Sequence, residues 1–97
     1  MVVKELTRFY QAIREDNRIT TSHISLYMAL FELWNQNNFR GAVDISRRGV
    51  MEAAKINGLA TFHKCIKDLC ELGYIQYRPS RNPAVPSQVE FTELGTE

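Results

Sequence analysis

Between residues 42 and 91 the hydrophobic period of the chain switches from helical to alternating, and this switch limits the possible folds more than any other feature. Leu59, Phe62, Ile66, Leu69 and Leu72 recur every three or four residues, the repeat of one helix face. Gly73 follows, where a helix commonly ends on a left-handed residue. That pattern predicts a helix over 58–72 with Asn57 as its N-cap. Ser46 is suited to cap a shorter helix over 46–55, with Val50, Met51 and Ala54 facing inward. Only Ile56 and Asn57 separate the two helices, so the connection is a tight turn. Downstream, Ile75 and Tyr77 alternate with Gln76 and Arg78, and Val89 and Phe91 alternate with Gln88 and Glu90. This predicts strands near 74–78 and 87–92. The loop between them holds all three prolines, Pro79, Pro83 and Pro86, which restrict its unfolded freedom and favour an ordered exposed tip. Ala42-Val43-Asp44 reads as a short additional strand ahead of the helical pair.

The N-terminal part reads as two further helices. Val3, Leu6, Tyr10 and Ile13 form an apolar stripe that predicts an amphipathic helix over 3–15, broken by Asp16-Asn17-Arg18. Thr21 is placed to cap the next helix, near 21–37, which runs out in Asn35-Gln36-Asn37-Asn38. Its apolar residues (Ile24, Leu26, Tyr27, Met28, Leu30, Phe31, Leu33 and Trp34) cover most of its circumference, so it needs neighbours on more than one side. With 97 residues and 44% hydrophobic content, a single domain over 1–97 with one modest core is expected. The N-terminal helix, residues 1–16, must cover much of what the pair within 42–92 leaves open, either from the same chain or from a second one.

The sequence offers no nucleophile elbow, no phosphate-binding glycine loop and no paired carboxylates. It therefore reads as a non-enzyme without cofactor or small-molecule ligand, and Asp44, Asp68 and Glu71 read as ordinary surface acids. His63, Cys65 and Cys70, with His23 as a fourth ligand, would be the candidates for a metal, but Cys65 points away from the face that His63 and Cys70 share and no Cys-x-x-Cys or His-x-x-x-His spacing exists, so no metal site is expected. Cys65 and Cys70 are unsuited to a local disulfide and read as small hydrophobes. The longest apolar run, residues 26–31, is too short to span a bilayer. The chain opens without a secretory leader, so a reducing cytoplasmic setting is expected.

The net charge is only +1, but it is unevenly spread. Residues 40–81 carry eight basic side chains (Arg40, Arg47, Arg48, Lys55, Lys64, Lys67, Arg78 and Arg81) against four acidic ones (Asp44, Glu52, Asp68 and Glu71). The positive excess thus falls on the helical pair and the proline loop. Arg47 and Arg48 occupy a first helical turn, where the helix dipole disfavours cations by roughly 0.3–1 kcal/mol each, a penalty that nearby phosphates would offset. The outward face of 58–72 presents Ala60, Thr61, His63, Lys64 and Lys67 toward its N-terminal half, with Asp68 and Glu71 beyond. This gradient suits a helix that enters a major groove by its N-terminal half.

Two helices, a tight turn and a hairpin define a mainly α fold with a small β-hairpin, a winged helix-turn-helix. The run Thr61-Phe62-His63-Lys64-Cys65-Ile66-Lys67-Asp68-Leu69-Cys70-Glu71-Leu72-Gly73-Tyr74-Ile75 resembles the winged-helix pattern in which a Thr-aromatic pair leads to Lys-x-Leu-x-x-x-Gly-Tyr-Ile. Together with residues 24–35, and over about 20–92 in all, the chain resembles small winged-helix proteins of Bacteroides-type bacteria. Those are often associated with mobile elements, as regulators or as the DNA-binding part of replication proteins. The resemblance implies sequence-specific binding of double-stranded DNA, with transcriptional regulation or element maintenance as the role. Ala60, Thr61, His63, Lys64 and Lys67 are the expected groove residues, and Arg47, Arg48, Arg78 and Arg81 the expected phosphate and wing contacts. A protein-interaction module on the same fold is the alternative. A single recognition helix with few bidentate readers reaches limited specificity, and two half-sites compensate. A homodimer through Val3, Leu6, Tyr10, Ile13, Leu26, Leu30 and Leu33 is therefore expected. The competing arrangement folds the N-terminal helix onto its own chain.

Overall fold

The computed structural model describes residues 2–92, which form four helices and a three-stranded antiparallel sheet. Their order is α1 (Val2–Glu15), α2 (Thr21–Gln36), β1 (Ala42–Ile45), α3 (Arg47–Ala54), α4 (Leu59–Glu71), β2 (Ile75–Arg78) and β3 (Ser87–Phe91). The chain is thus mainly helical, with the expected hairpin widened by β1 into a sheet of order β1-β3-β2. In register, Val43 and Tyr77 both lie opposite Val89, and Ile75 lies opposite Phe91. The two-residue period of the strands then puts Val43, Ile45, Ile75, Val89 and Phe91 on one buried face.

That face packs on α2. Trp34 stacks flat on Phe91, ring centroids 4.6 Å apart, and Tyr27 meets Phe91 edge to face at 5.3 Å. Leu26 and Leu30 on the same helix are wholly buried. The α3 residues Val50 and Ala54, with Phe62, Cys65, Ile66 and Leu69 of α4, complete the core, and both helices pack against α2. The helix that is apolar around most of its circumference is therefore the central one, as its composition requires.

The N-terminal helix docks on its own chain, but only partly through the expected stripe, of which Leu6 and Ile13 pack against the core. Phe9, which that stripe omits, is buried and stacks on Tyr27 at 3.8 Å with the rings 7° from parallel. Glu5 is buried one turn earlier, while Val3 and Tyr10 are 55% and 59% exposed, and Leu6 and Ile13 are half-buried. The burial of one large ring in a preformed aromatic site outweighs the stripe richer in aliphatic residues. Arg8 adds to the docking: its guanidinium lies 4.7 Å over the Tyr74 ring. Leu26 and Leu30 cannot contribute to an interface between copies, because the core of one chain already encloses them.

The helix ends show where local chemistry decides the boundaries. The cap of α2 is Thr20, not Thr21, since the Thr20 N–H donates to His23 Nδ1 at 2.9 Å. The cap of α4 is Gly58 rather than Asn57. Ser46 caps α3 as expected, its Oγ accepting from the Gly49 N–H at 3.1 Å. Beyond α4, Gly73 at φ +87° donates to the Cys70 carbonyl and Tyr74 to the Leu69 carbonyl, both at 3.0 Å, which turns the chain into β2. Lys55 closes α3 the same way at φ +62°, with Ile56 donating to Met51. The tight turn of the helical pair therefore spans residues 55–58.

Replacing Phe9 by Ala should lower stability by about 3–5 kcal/mol, whereas Tyr10→Ala should change it by no more than about 0.5 kcal/mol. Urea unfolding followed by far-ultraviolet circular dichroism measures both. Equal losses would mean that α1 does not dock through Phe9.

Candidate nucleic-acid interface

With Phe62, Cys65, Ile66 and Leu69 turned into the core, α4 presents its opposite face to solvent. Ala60, Thr61, His63, Lys64 and Lys67 are all exposed there, as the helical spacing predicts. Leu59, expected among the inward residues, is 45% exposed, since it opens the helix beyond the edge of the core. Lys64 Nζ lies 2.9 Å from Asp68 Oδ2, and Lys67 Nζ lies 3.9 Å from Glu71 Oε2. In both pairs the lysine is the N-terminal member, the less favourable order for an i,i+4 pair. Neither α3 nor α4 has an acid in its first turn or a base in its last, so neither helix has charges arranged to favour its own dipole.

The arginines divide into two groups. Arg78 pairs with Glu90 across the β2–β3 hairpin at 2.7 Å, and Arg48 with Glu52 at 3.6 Å. Arg47 and Arg81 have no ion-pair partner among the described residues. Both are exposed, Arg47 at the start of α3 and Arg81 in the loop after β2. That loop is held by more than its prolines. The Ser80 N–H donates to Ser87 Oγ at 3.0 Å, Ser80 Oγ donates to the Asn82 carbonyl at 3.0 Å, and Asn82 Oδ1 accepts from the Ala84 N–H at 2.9 Å. No hydrogen bond or ion pair among the described residues joins Arg47, Arg48, Arg78 or Arg81 to α4, so the candidate residues occupy three separate exposed segments.

Asp68 is not the ordinary surface acid that its sequence setting implies. His23, at the start of α2, is only 3% exposed, and its Nε2 lies 2.8 Å from Asp68 Oδ2. The backbone N–H of Thr20 can only donate, so His23 Nδ1 accepts and Nε2 carries the hydrogen donated to Asp68. Asp68 thus joins α4 to the N-terminal end of α2, and the ammonium of Lys64 meets the same carboxylate oxygen. The hydrogen bonds from Lys64 and then His23 hold the Asp68 carboxyl below its ordinary value of 3.8. The sequence gives little sign of this bridge, because its partners lie 45 residues apart.

The remaining chemistry-bearing groups do not converge. Both cysteines are free, and burial raises the pKa of each thiol. His63 is exposed, whereas His23 is buried in its bridge. Among the described residues no three His, Cys, Asp or Glu side chains form a group able to hold a metal ion, and no helix is long and apolar enough to cross a membrane. Compared with protein-family models, curated proteins and solved structures, the chain matches none.

The Asp68 carboxylate, with its depressed pKa, stabilises the fold fully above its unfolded value near 3.8, and this contribution is lost as pH falls through the lower folded value. Asp68→Ala leaves the buried His23 Nε2–H without its acceptor and should cost about 1–3 kcal/mol at pH 7. The gap between variant and parent should close as the pH is taken below 3.8. Urea midpoints measured across that range check both statements, and a gap that stays constant with pH would exclude the ionised bridge.

Proposed function

We propose that this chain is a winged-helix protein that binds double-stranded DNA, with α4 in the major groove and the loop from Pro79 to Pro86 as the wing. The observation that carries the reading is the combination of topology and exposure. Two helices joined by a tight turn are followed by a hairpin, and the second helix keeps one face in the core while Ala60, Thr61, His63, Lys64 and Lys67 remain exposed on the other. Lysines on the second and third turns of α4 and arginines on the first turn of α3 favour contact with phosphate over stabilisation of their own helices. Arg47 and Arg81 have no internal partner among the described residues and so reach phosphate without breaking an ion pair. Arg48, Arg78, Lys64 and Lys67 are themselves exposed and would exchange an intramolecular carboxylate for phosphate, an exchange that costs an exposed cation little.

In this reading Thr61 and His63 supply most of the base discrimination, since a hydroxyl and an imidazole can hydrogen-bond base edges. Ala60 contributes close approach and apolar contact, as with a thymine methyl group. The cations supply affinity that does not depend on sequence.

Fluorescence anisotropy on DNA selected from a random pool tests the reading. Arg81→Ala should weaken binding to all duplexes alike and reduce the slope of log K against log salt by about one. His63→Ala should instead relax preference at one position by about 1–3 kcal/mol. If the intact chain binds no duplex at low salt, the exposed α4 face serves another partner, and a protein-interaction role replaces this one.

A further inference from the structure

We infer that Lys64 and a proton on His23 compete for Asp68, so that drawing Lys64 onto a phosphate puts a proton on His23. On the DNA reading above, on which this rests, duplex binding then tightens as the pH falls. The geometry is that of a shared acceptor. His23 Nε2 and Lys64 Nζ both meet Asp68 Oδ2, at 2.8 and 2.9 Å. The first belongs to a buried ring that can be neutral or charged, the second to an exposed ammonium. While the ring is neutral, the lysine supplies the only full positive charge bound to this oxygen. Once the ring is charged, two cations crowd one oxygen and repel, and the exposed one is free to leave.

The ring is placed to take either form. When neutral, its Nδ1 accepts from the Thr20 N–H at 2.9 Å. The Thr20 hydroxyl lies 2.8 Å from the same nitrogen, so a proton added there is donated to Oγ1. A buried imidazole resists charging when its new N–H has no acceptor. Here both N–H groups have one, a hydroxyl on one side and a carboxylate on the other. Thr20 itself is exposed, so water can take over its N–H. Of the other charged groups, Asp16 of the α1–α2 loop acts on the ring but is closed on Arg18 at 2.7 Å. On α4, Glu71 lies 3.9 Å from Lys67, and burial keeps the Cys65 thiol neutral. Along α2 the nearest titratable side chain is Tyr27, one turn on, which burial also keeps neutral. Among the described residues, Lys64 is therefore the cation whose departure changes the charge at Asp68. The coupling is reciprocal: a phosphate that takes Lys64 strengthens proton binding at His23, and the proton strengthens phosphate binding by the same factor. For an exposed lysine that factor is about two- to fivefold.

Two measurements test this, the first without DNA. The ring ¹⁵N shifts of His23, read at one pH within a histidine's ordinary titration range of about 5–8, give the ratio of charged to neutral ring. Lys64 is exposed, so Lys64→Gln keeps the fold, and the ratio should rise about two- to fivefold over the intact chain. The second is fluorescence anisotropy with a duplex at constant salt, at about pH 5.5 and about pH 7.5. It uses a His63→Gln chain, because the second of the two histidines lies on the α4 face itself. Affinity should rise by about two- to fivefold toward the lower pH, and adding Lys64→Gln should remove most of that rise. Equal ring ratios in the intact chain and Lys64→Gln, or a rise that Lys64→Gln leaves whole, would overturn the inference. If the intact chain binds no duplex at either pH, the DNA reading falls and pH-dependent binding with it, while the ring ratio still decides whether Lys64 and the proton compete.

Discussion

The stacking of aromatic rings against one side of α2 is the interaction on which the rest of this structure depends. Tyr27 is sandwiched between Phe9 of α1 and the edges of Tyr74 and Phe91, and Trp34 stacks on the same Phe91. Each ring removes a large apolar area from water, and the offset Trp34–Phe91 stack and the edge-to-face contacts of Tyr27 add about 0.5–1.5 kcal/mol per pair beyond that burial. The stack ties the N-terminal helix, the central helix and the last strand to a single site. Because Phe91 stands in the central strand of the sheet, the same contacts also set the height of β2 and of the loop that follows it. The exposed face of α4 is fixed from the other side of α2, by Phe62, Ile66 and Leu69. Helix α2 is therefore the common reference for both segments that would meet DNA.

How far the sequence foretells this arrangement depends on the range of the interaction. The α4 stripe and the alternation of the hairpin are legible because each is a repeat that the local backbone imposes, and Ser46 and Gly73 mark helix ends through contacts within a few residues. The orientation of α1 is not legible in the same way. Its stripe of Val3, Leu6, Tyr10 and Ile13 is the more hydrophobic, while the face that is most buried combines Phe9 with the polar Glu5. Which face wins is decided by the ring site that Tyr27 offers, and no count of apolar residues within α1 contains that information. Among the candidate groove residues, exposure follows from helical spacing alone, so all five were readable. Their ion pairing was only partly so: Lys64–Asp68 and Lys67–Glu71 follow from i,i+4 spacing, whereas Arg78–Glu90 needs the hairpin register.

The polar groups show the same division. His23 lies among the apolar residues of α2, where a histidine has no periodic signature, and its meaning comes from Thr20 on one side and Asp68 on the other. Once the fold brings these together, the donor of the Thr20 N–H fixes the tautomer, and the tautomer fixes which atom reaches Asp68. A cap that belongs to α2 is thereby coupled to a residue of α4. The helix pair and the N-terminal half then behave as one body, linked by a polar bridge as well as by the core.

That bridge also bears on how α4 could meet phosphate without loosening its own seating. Asp68 receives two cationic or polar partners, but they differ in burial: the His23 side chain is 4% exposed and that of Lys64 is 74% exposed. An exposed lysine is free to rotate from carboxylate to phosphate, since its ammonium is hydrated in either position and the pair contributes little to stability. The histidine has no such freedom, because moving it would strand a buried donor. Loss of the Lys64 contact leaves Asp68 with the hydrogen bond from His23, so the carboxylate does not become isolated. The partner of Asp68 that holds the fold is thus distinct from the partner that can be exchanged, although both meet Oδ2, and α4 can offer Lys64 to a partner while its connection to α2 stays intact.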